Sequence, residues 1–361
     1  MVTSSPPPES PPPQPATASE TAAAQKNRKS RPQLTVKLYP IAVSRAMIWT
    51  WVAWALAGIW ALWALVRLLG IEWGFPLVQL VAFTPLVAAA SVIPIAVAAV
   101  LRRWAALGLA LLAAAVLAAC VLPRAFGGPT EPDGDPGPTL RVLASNMKVG
   151  KGDPKELVDL ARELDVDVLS VEELTPKLAA DLDRAGLAKL LPQHAVDAEQ
   201  GSFGAGLYSR LVTPRTSAVA MPGGWPLVHA SLEIEGAPPV EIYGVHTQPP
   251  TPSWGGNWDD DLRALPDASE TPLRVMMGDF NSTLDHDEFR DLLGRGYDDV
   301  ADTLGDGLTP TWPEQRRFPP LVTIDHVIAD SRIGIRDYST HEIDGTDHRA
   351  VYAELQLPSA G

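Results

Sequence analysis

A carboxylate and an amide lie two positions apart in the segment Gly278-Asp279-Phe280-Asn281-Ser282. The segment directly follows the run Leu273–Met277, which is typical of a buried strand. At the end of a strand, Asp279 can orient or deprotonate a water, and Asn281 can donate a hydrogen bond to a phosphoryl oxygen. Asp-x-Asn is also common in simple turns, because both residues bond their own backbone. The pentapeptide by itself therefore leaves a catalytic site and a turn open.

Polar residues also end or interrupt five other strand-like runs. A single polar residue at a strand end is usually a turn or a cap. Six strand ends that collect amide, carboxylate and imidazole groups are hard to explain as turns, and they indicate one shared site. Besides Asp279 and Asn281, the residues concerned are Asn146, Glu172, Glu173, His246, Asp325, Asp347 and His348.

These residue types suit the hydrolysis of phosphate esters with the help of a divalent cation. Mg²⁺ prefers oxygen ligands and keeps several waters, so one or two carboxylates are enough to hold it. The cation neutralises phosphoryl charge and helps an oxygen to leave. An Asp beside a His orients the imidazole and favours its charged form, which stabilises the negative charge of the transition state.

The order of these residues resembles the endonuclease/exonuclease/phosphatase superfamily, which includes DNase I-like nucleases, neutral sphingomyelinases and inositol polyphosphate phosphatases. The resemblance covers about residues 139–357 and rests on Gly-Asp-Phe-Asn, the late Asp-His and the earlier Asn and Glu strand ends. It implies an α/β fold, the four-layer α/β sandwich of DNase I-like proteins. It also implies a divalent metal, usually Mg²⁺, with Mn²⁺ as an alternative.

The resemblance also implies a role for each matching residue. Glu172 stands where relatives usually have Gln, and we expect it to add negative charge near the metal. The metal-site positions are Asn146, Glu173 and Asp347. The catalytic positions are His246 (phosphate or leaving group), Asp279 and Asn281 (nucleophile and phosphate), Asp325 (orienting carboxylate) and His348 (catalytic imidazole).

Three apolar runs precede this region, at Ala46–Val66, Trp73–Leu101 and Trp104–Pro123. Each run is free of charged residues and long enough to cross the hydrocarbon core of a membrane as a helix. The absence of charge inside the runs favours a membrane anchor over a channel or transporter. The sequence therefore predicts three transmembrane helices within residues 46–123, the second of them kinked at its prolines.

The distribution of Lys and Arg predicts the orientation of this anchor. Basic residues concentrate before the first run and at Arg102-Arg103, whereas Arg67 and Arg124 each stand alone. The positive-inside rule then places the N-terminus in the cytoplasm and residues 124–361 outside the plasma membrane. We expect a multi-pass membrane protein with an extracytoplasmic catalytic domain.

Composition divides the rest of the chain. Residues 1–45 form a Pro-rich, polar tail that we expect to be disordered and cytoplasmic. Residues 124–138 are a Gly/Pro/Asp-rich linker, and residues 139–361 alternate between strand and helix patterns, as in a catalytic α/β domain. Helical patterns cover Pro154–Leu164, Pro176–Ala185 and roughly Asp285–Leu293.

The charge of the C-terminal region and its predicted location narrow the range of possible substrates. Residues 138–361 carry a net charge of −18, which disfavours nucleic acid as a partner, because a nuclease needs a basic groove. A short linker after three spans would hold the site near the lipid head groups of the outer leaflet. This layout resembles the membrane-bound VanJ-type proteins of actinobacteria, which are linked to teicoplanin-class glycopeptide resistance. The resemblance implies a phosphate-bearing envelope lipid, such as undecaprenyl pyrophosphate.

Three functions remain open. The first is a metal-dependent phosphoesterase that acts on envelope lipid phosphates. The second is an extracellular nuclease or phosphodiesterase, which salt-dependent DNA binding would favour. The third is a non-catalytic module that binds a lipid or an antibiotic, which the intact set of chemical residues disfavours. The sequence identifies no protein partner.

The other polar residues receive structural interpretations. We expect His229 to be structural, and His326 to face away from Asp325 on its strand. The acidic run Asp259–Asp261 is interpreted as a solvated helix start. The remaining histidines lie in polar loops and are predicted to be solvated: His194, His286 and His341.

Overall fold

The fold is taken from a computed structural model of the whole chain. It describes residues 45–252, 256–314 and 319–360. The predicted N-terminal tail lies outside the described residues, apart from Arg45. From residue 46 onward, the apolar helices and the α/β layers belong to a single compact unit.

Two helices of the described chain are long and apolar enough to cross a membrane. Helix α1 covers Arg45–Leu68. The second, which is α5 at Trp104–Val121, continues through a 3₁₀ turn at Leu122–Ala125. The three spans predicted from the sequence are therefore not all present as continuous helices.

The middle apolar run, predicted as one kinked span, is divided into short helices. They are α2 (Leu77–Val81), α3 (Thr84–Ala89) and α4 (Val92–Val100). Pro76 precedes α2, Pro85 lies in the first turn of α3, and Pro94 lies near the start of α4. Proline has no backbone N–H and clashes with the preceding turn, so each proline favours a new helix start over continuation. The stretch Thr84–Val100, which comprises α3 and α4, is apolar but shorter than the two long helices.

Small side chains bring the apolar helices close together. Ala53 and Ala57 of α1 lie in one buried cluster with Ala98 of α4 and with Ala106 and Ala110 of α5. Small residues let helix backbones approach closely, which is typical of helix packing in membranes. A second cluster holds α1 to the middle run, where the Trp63 indole also donates to the Thr84 hydroxyl at 3.1 Å.

Within the residues that the structure describes, twelve strands form two six-stranded sheets. The first has the order β11-β12-β1-β2-β4-β3 and the second β5-β6-β7-β8-β10-β9. The strands are β1 Pro136–Asn146, β2 Val168–Glu172, β3 Gln193–Asp197, β4 Ala205–Ser209, β5 Val212–Ala220, β6 Pro226–Glu233, β7 Val240–His246, β8 Leu273–Asp279, β9 Tyr297–Asp299, β10 Asp325–Asp330, β11 Gly334–His341 and β12 Ala350–Pro358. Only β1–β2 and β7–β8 pair in parallel among these strands.

The two sheets pack face to face, and helices cover their outer faces. Side chains such as Val142, Val168, Val275 and Val327 form the buried cluster between the sheets. Two further clusters lie under the helices on the outer face of each sheet. These helices are α6 Pro154–Glu163, α7 Pro176–Ala185, α8 Leu187–Leu190, α9 Trp258–Ala264 and α10 Asp287–Leu293, while α11 Val300–Leu304 contacts the β9–β10 region. The prediction of an α/β sandwich is confirmed.

The predicted linker follows the surface of the α/β layers. Gly128 N–H donates to Thr303 O, Thr130 N–H to Ile335 O, and Asp133 N–H to Arg332 O. A Cβ on Gly127 would lie 2.1 Å from Thr303 O, so the chain can approach this closely only with glycine. These contacts therefore hold the chain that follows α5 against the surface of the sandwich.

The apolar helices are joined to the sandwich by a buried ion-pair cluster. The Asp285 carboxylate accepts from Arg67 Nε at 2.7 Å and from Arg124 Nη1 and Nη2 at 2.8 and 2.7 Å. All three side chains are buried. Glu72 accepts from the backbone N–H groups of Asp287 and Glu288 at 2.9 and 3.0 Å. The end of α1, the turn after α5 and the start of α10 therefore meet at one place.

His286 is buried at the same contact, so its predicted solvation is wrong. Its ring Nε2 lies 2.7 Å from Val78 O, and its Nδ1 accepts from Thr283 N–H at 2.8 Å. With Nδ1 as acceptor, the neutral ring donates from Nε2 to α2. Burial lowers the pKa of His286 to about 4, although its hydrogen-bond partners act in the opposite direction.

We predict that acid weakens this contact. Between pH 6.5 and 4 the unfolded chain binds a proton at His286 that the folded chain does not, so stability falls as the pH falls. The loss reaches about 3 kcal/mol below pH 4 and vanishes above pH 6.5. Thermal unfolding at pH 7 and 4.5 should show a smaller acid shift for His286→Gln than for the native chain. The exposed His194→Gln serves as the control, and equal shifts for all three proteins would contradict the prediction.

Candidate active site

Strand register brings three of the predicted residues side by side. His246 at the end of β7 and Asp325 at the start of β10 both pair with Asp279 at the end of β8. In the facing sheet, Asn146 at the end of β1 pairs with Glu172 at the end of β2. The predicted residues therefore gather at one edge of the sandwich.

Asp279 lies at the centre of this group and is buried. Its Oδ2 accepts from Asn146 Nδ2 at 3.0 Å, and its Oδ1 accepts from Asn281 N–H at 2.8 Å. The same Oδ2 lies 3.8 Å from His246 Nε2 and 3.9 Å from His348 Nε2. Burial raises the pKa of Asp279 to about 7, and the charge of His348 partly offsets this effect. The carboxylate thus faces two imidazoles across gaps longer than a hydrogen bond.

His348 is oriented by Asp325. The imidazole Nδ1 lies 3.0 Å from both carboxylate oxygens of Asp325, and the Thr311 hydroxyl donates to Asp325 Oδ2 at 2.6 Å. Burial lowers the pKa of His348, but Asp325 and Asp279 outweigh it and raise the pKa to about 10. The imidazole is therefore held in its charged form, with Nε2 directed towards Asp279.

His246 and Asn281 complete the group around Asp279. Burial lowers the pKa of His246 to about 3, and the charge of His348 acts in the same direction. His246 is thus a neutral imidazole at pH 7. Asn281 adopts the left-handed region at φ 46°, and its Nδ2 donates to Thr247 O at 2.9 Å. An amide has two N–H groups, so a second donor remains for a ligand.

The three predicted metal ligands form a second, more open group. Asn146 Nδ2 lies 3.5 Å from Glu173 Oε1, and Glu173 Oε2 accepts from Val149 N–H at 2.6 Å. Burial raises the pKa of Glu173, and the carboxylate of Asp347 acts in the same direction. Asp347 also forms an ion pair with Lys148 at 3.0 Å. Lys148 follows Asn146 by two positions, and nothing in the sequence indicates this pairing.

Glu172 lies behind the site and is fully buried. One of its oxygens bonds the Ser170 hydroxyl, and the other, Oε2, has no hydrogen-bond partner among the described residues. Burial raises the pKa of Glu172 well above its ordinary value. We expected this residue to add negative charge, but its position favours the neutral form, which has the shape of Gln. Gly278 at φ 137° allows this approach, because a Cβ there would lie 2.8 Å from Glu172 Oε1.

The donor set fits a divalent cation. Asp279, Asp325 and His348 place ligand atoms within 4.8 Å of one another. However, both oxygens of Asp325 are already engaged by His348. Glu173 and Asp347 offer carboxylate oxygens at the same site, and the charge of a cation bound there would offset the cost of burying the Glu173 carboxylate. Asn146 directs its Nδ2 to Asp279, and its Oδ1 accepts from Lys148 N–H at 3.0 Å, which leaves one lone pair for a cation. Oxygen ligands of this kind suit Mg²⁺ or Mn²⁺.

A cavity of about 620 Å³ opens onto these groups. Its polar lining is concentrated at Glu173, His246, Asp279, Asn281 and His348. The rest is mainly apolar and includes Trp225, Trp312, Val322 and Ile324 from the sandwich, and Val78, Ala82 and Phe83 from the broken apolar run. The cavity therefore places polar groups suited to phosphate chemistry beside an apolar surface.

Comparison with known sequences identifies the family. The sequence model of the Endonuclease/Exonuclease/phosphatase family matches residues 143–348, which is more than half of the chain and contains all eight predicted site residues. This chain belongs to that family. Members of the family are typically metal-dependent phosphoester hydrolases. No curated protein matches the sequence.

Of two similar solved structures, that of D. rerio TDP2 supports the endonuclease/exonuclease/phosphatase fold. TDP2 from D. rerio, in a structure described as complexed with single strand DNA product, has a TM-score of 0.50 at 16% identity. That match covers 60% of this chain and 98% of the TDP2 chain. A family protein from Leptotrichia buccalis C-1013-b has a TM-score of 0.46 at 12% identity, covering 60% of this chain and 100% of the other.

Some residues around the site of this family member had no clear sequence signal. Thr311 orients Asp325 from a Pro/aromatic loop, and Trp312 in the same loop lines the cavity. Trp225 contacts His246 edge-on with ring centroids 6.0 Å apart. Neither spacing nor hydropathy distinguishes these residues from other loop positions.

Proposed function

We propose that this protein is a divalent-metal-dependent phosphoesterase that is anchored in the plasma membrane and acts outside it on an envelope lipid phosphate or pyrophosphate. Undecaprenyl pyrophosphate is the representative substrate, and a contribution to glycopeptide resistance belongs to the same proposal. One observation carries it. The cavity that contains Asp279, His246 and His348 is otherwise mainly apolar and is built partly from the apolar region of the chain.

The residues of this chain divide the chemistry among them. Asp279, whose Oδ2 faces both His246 and His348, orients the attacking water and accepts its proton. Charged His348, held by Asp325, stabilises the negative charge that builds up on the phosphoryl oxygens. The second N–H of Asn281 donates a hydrogen bond to a phosphoryl oxygen. Neutral His246, which lies 3.8 Å from Asp279 Oδ2, contacts the phosphate or the leaving group.

Asn146, Glu173 and Asp347 would hold the cation in this proposal. Bound there, the cation would supply charge neutralisation for the phosphoryl group. Lys148 pairs with Asp347 at 3.0 Å and keeps that carboxylate at the rim of the site. The cation would thus not occupy the side chains that contact the reacting oxygens, which are Asp279, His246 and His348.

The lining of the cavity supports a lipid over a nucleic acid. No Lys or Arg occurs among the described residues that line it, whereas nucleic-acid binding depends on basic side chains that neutralise phosphates. D. rerio TDP2 is described with a single strand DNA product, which makes DNA the natural competitor in an assay. The two long apolar helices, α1 and α5, would place the cavity beside a membrane.

We predict that removal of divalent metal abolishes turnover. The full chain, reconstituted in lipid nanodiscs, is given undecaprenyl pyrophosphate, a phospholipid or single-stranded DNA, each with Mg²⁺ or with EDTA. Released phosphate or cleaved DNA is measured. We expect release from the prenyl pyrophosphate only with Mg²⁺, and recovery when Mg²⁺ is added back to the EDTA sample.

The other outcomes have separate meanings. Preferential cleavage of DNA would replace the lipid in the proposal while leaving the active site in place. Release that is insensitive to EDTA would contradict the metal requirement. No turnover of any substrate, together with retained lipid binding, would favour a non-catalytic binding module.

A further inference from the structure

We propose that the segment from α2 to Phe83 (residues 77–83, called here the α2 wall) binds the apolar chain of the substrate next to its phosphate. This inference rests on the proposed function, which supplies the phosphate end of the ligand. It adds residues that determine specificity, and they lie outside the part of the chain that the family model matches. The substrate it specifies is an amphiphile with a phosphoryl head and a linear apolar chain.

The cavity-lining residues of the α2 wall form one face. Val78, Gln79, Ala82 and Phe83 all contribute to the cavity that contains Asp279 and His348. Their spacing is that of neighbouring positions on a helix surface. Leu80 lies on the other side, where 41% of its surface is exposed. The α2 wall thus has a cavity face and an outward face.

The cavity face is fixed relative to the catalytic residues. His286 bonds Val78 O at 2.7 Å, and Trp258 packs against His286 with ring centroids 5.0 Å apart. The Trp258 indole in turn donates to Asn281 O at 3.1 Å. One chain of contacts therefore links the α2 wall to a residue of the active site. Such a wall is pre-organised, which lowers the entropic cost of binding a chain.

The sandwich contributes further apolar side chains to the same cavity, namely Trp225, Trp312, Val322 and Ile324. An apolar chain in this cavity would be removed from water along its length, and each buried methylene strengthens binding about three- to fourfold. A free phosphate or a nucleotide would leave this apolar surface uncovered.

A second cavity of about 460 Å³ lies next to the first. It shares Val78, Pro250 and Thr251 with the first cavity and is lined by Trp73 and Phe75. Those two aromatic side chains are 82% and 61% exposed. Exposed aromatic residues beside apolar helices are typical of the membrane interface. This second cavity is also lined by charged side chains, at Glu72, Asp259, Arg263, Asp287 and Glu288. We therefore assign the apolar chain to the first cavity alone.

Gln79 is the one polar residue of the seven in the α2 wall. It shares the cavity with Asn281 and His246. An amide among apolar neighbours at this position can bond a phosphoryl or bridging oxygen of the head group. We assign Gln79 to the boundary between the head group and the chain of the substrate.

The experiment compares two ligands that share a head group and resist hydrolysis, methylphosphonate and decylphosphonate. Binding to the full chain in nanodiscs with Mg²⁺ is measured by calorimetry, for the native protein, Ala82→Trp and the matched Leu80→Trp. We expect Ala82→Trp to weaken decylphosphonate binding at least tenfold and methylphosphonate binding less than twofold. Leu80→Trp should leave both unchanged. A decylphosphonate with a diazirine in its chain should crosslink to residues 77–83.

The outcomes separate this inference from the proposed function. Chain-dependent binding that Ala82→Trp abolishes, without phosphate release from any lipid, would support the α2 wall and overturn the phosphoesterase. Phosphate release with no dependence on chain length, and no crosslink to residues 77–83, would overturn the α2 wall and leave the phosphoesterase intact. Equal losses in Ala82→Trp and Leu80→Trp would also contradict the inference.

Discussion

Asp279→Asn is expected to slow phosphate release about 10³-fold, in the range of a lost general base. The substitution keeps the shape of the side chain but removes the group that accepts the proton of the attacking water. Asn146 Nδ2 and Asn281 N–H would then each face an amide in place of a carboxylate. Asp279 faces the imidazoles of His246 and His348 and also accepts from Asn146 of the predicted metal group. Its loss should therefore affect catalysis more than the loss of any other predicted site residue.

The measurement is phosphate release under saturating lipid, with a thermal unfolding curve for each variant. Asp183→Asn, an exposed substitution on α7, is the matched control. Asp279→Asn should unfold at or above the native temperature, because burial disfavours a charge at this position. A variant that folds and still releases phosphate within tenfold of the native rate would remove Asp279 from the catalytic role.

The sequence could predict that the site residues lie close together, because most of them occur at strand ends. His246 and Asp279 occur where an apolar run stops, Asp325 interrupts another apolar run, and strand pairing then aligns the three residues. In the facing sheet, Asn146 pairs with Glu172, and Glu173 directly follows the end of β2. Their local positions follow from the hydrophobic pattern, whereas their chemical roles depend on the family resemblance and on the experiments above.

The apolar region differs most from what its sequence predicts. Hydropathy treats residues 73–101 as one span, because it counts apolar residues and does not register where a helix can continue. The prolines divide the run, and α2 turns towards the sandwich, where Val78 packs in the same cluster as Trp258 and Phe289. Tertiary contact with a distant domain decides this packing, and no local pattern reports it.

Buried polar groups in loops were missed for a related reason. His286 was predicted to be solvated, yet it is 2% exposed. Asp261 was placed in a solvated helix start, and α9 is indeed a helix, but the carboxylate is buried and accepts from Gly223 and Gln248 N–H at 2.6 and 2.8 Å. A polar residue in a polar segment gives no sign of burial until its partners are known.

Arg67 and Arg124 are two further polar residues whose burial the sequence does not indicate. Each stands alone in sequence and was used only for membrane orientation. In the structure both belong to the buried cluster with Asp285, which is 218 positions from Arg67 and 161 from Arg124. Their pairing shows that basic residues at the ends of apolar helices can serve contact with a folded domain as well as topology.

Asp285→Asn is therefore expected to destabilise the full chain by about 3–5 kcal/mol, because it leaves two buried guanidinium groups without their counter-charge. The exposed pair of Arg263 with Asp259 is the matched comparison, and Asp259→Asn should change stability by less than about 1 kcal/mol. Thermal or denaturant unfolding of the protein in nanodiscs measures both. A similar small effect for the two variants would show that the cluster is not the main attachment of the helices.

Replacing the whole cluster distinguishes a structural contact from a charge requirement. Apolar residues of similar volume often replace a buried ion cluster without loss of stability. Arg67→Met, Arg124→Met and Asp285→Leu in one chain should therefore recover most of the stability lost in Asp285→Asn.

The same variants also test the position of the α2 wall. Asp285 is adjacent to His286, whose ring lies within hydrogen-bond distance of Val78 O. Asp285→Asn should therefore weaken the preference of the site for long-chain phosphonates, and the triple variant should restore that preference. Recovery of stability without recovery of chain preference would separate the attachment of the helices from the positioning of the α2 wall.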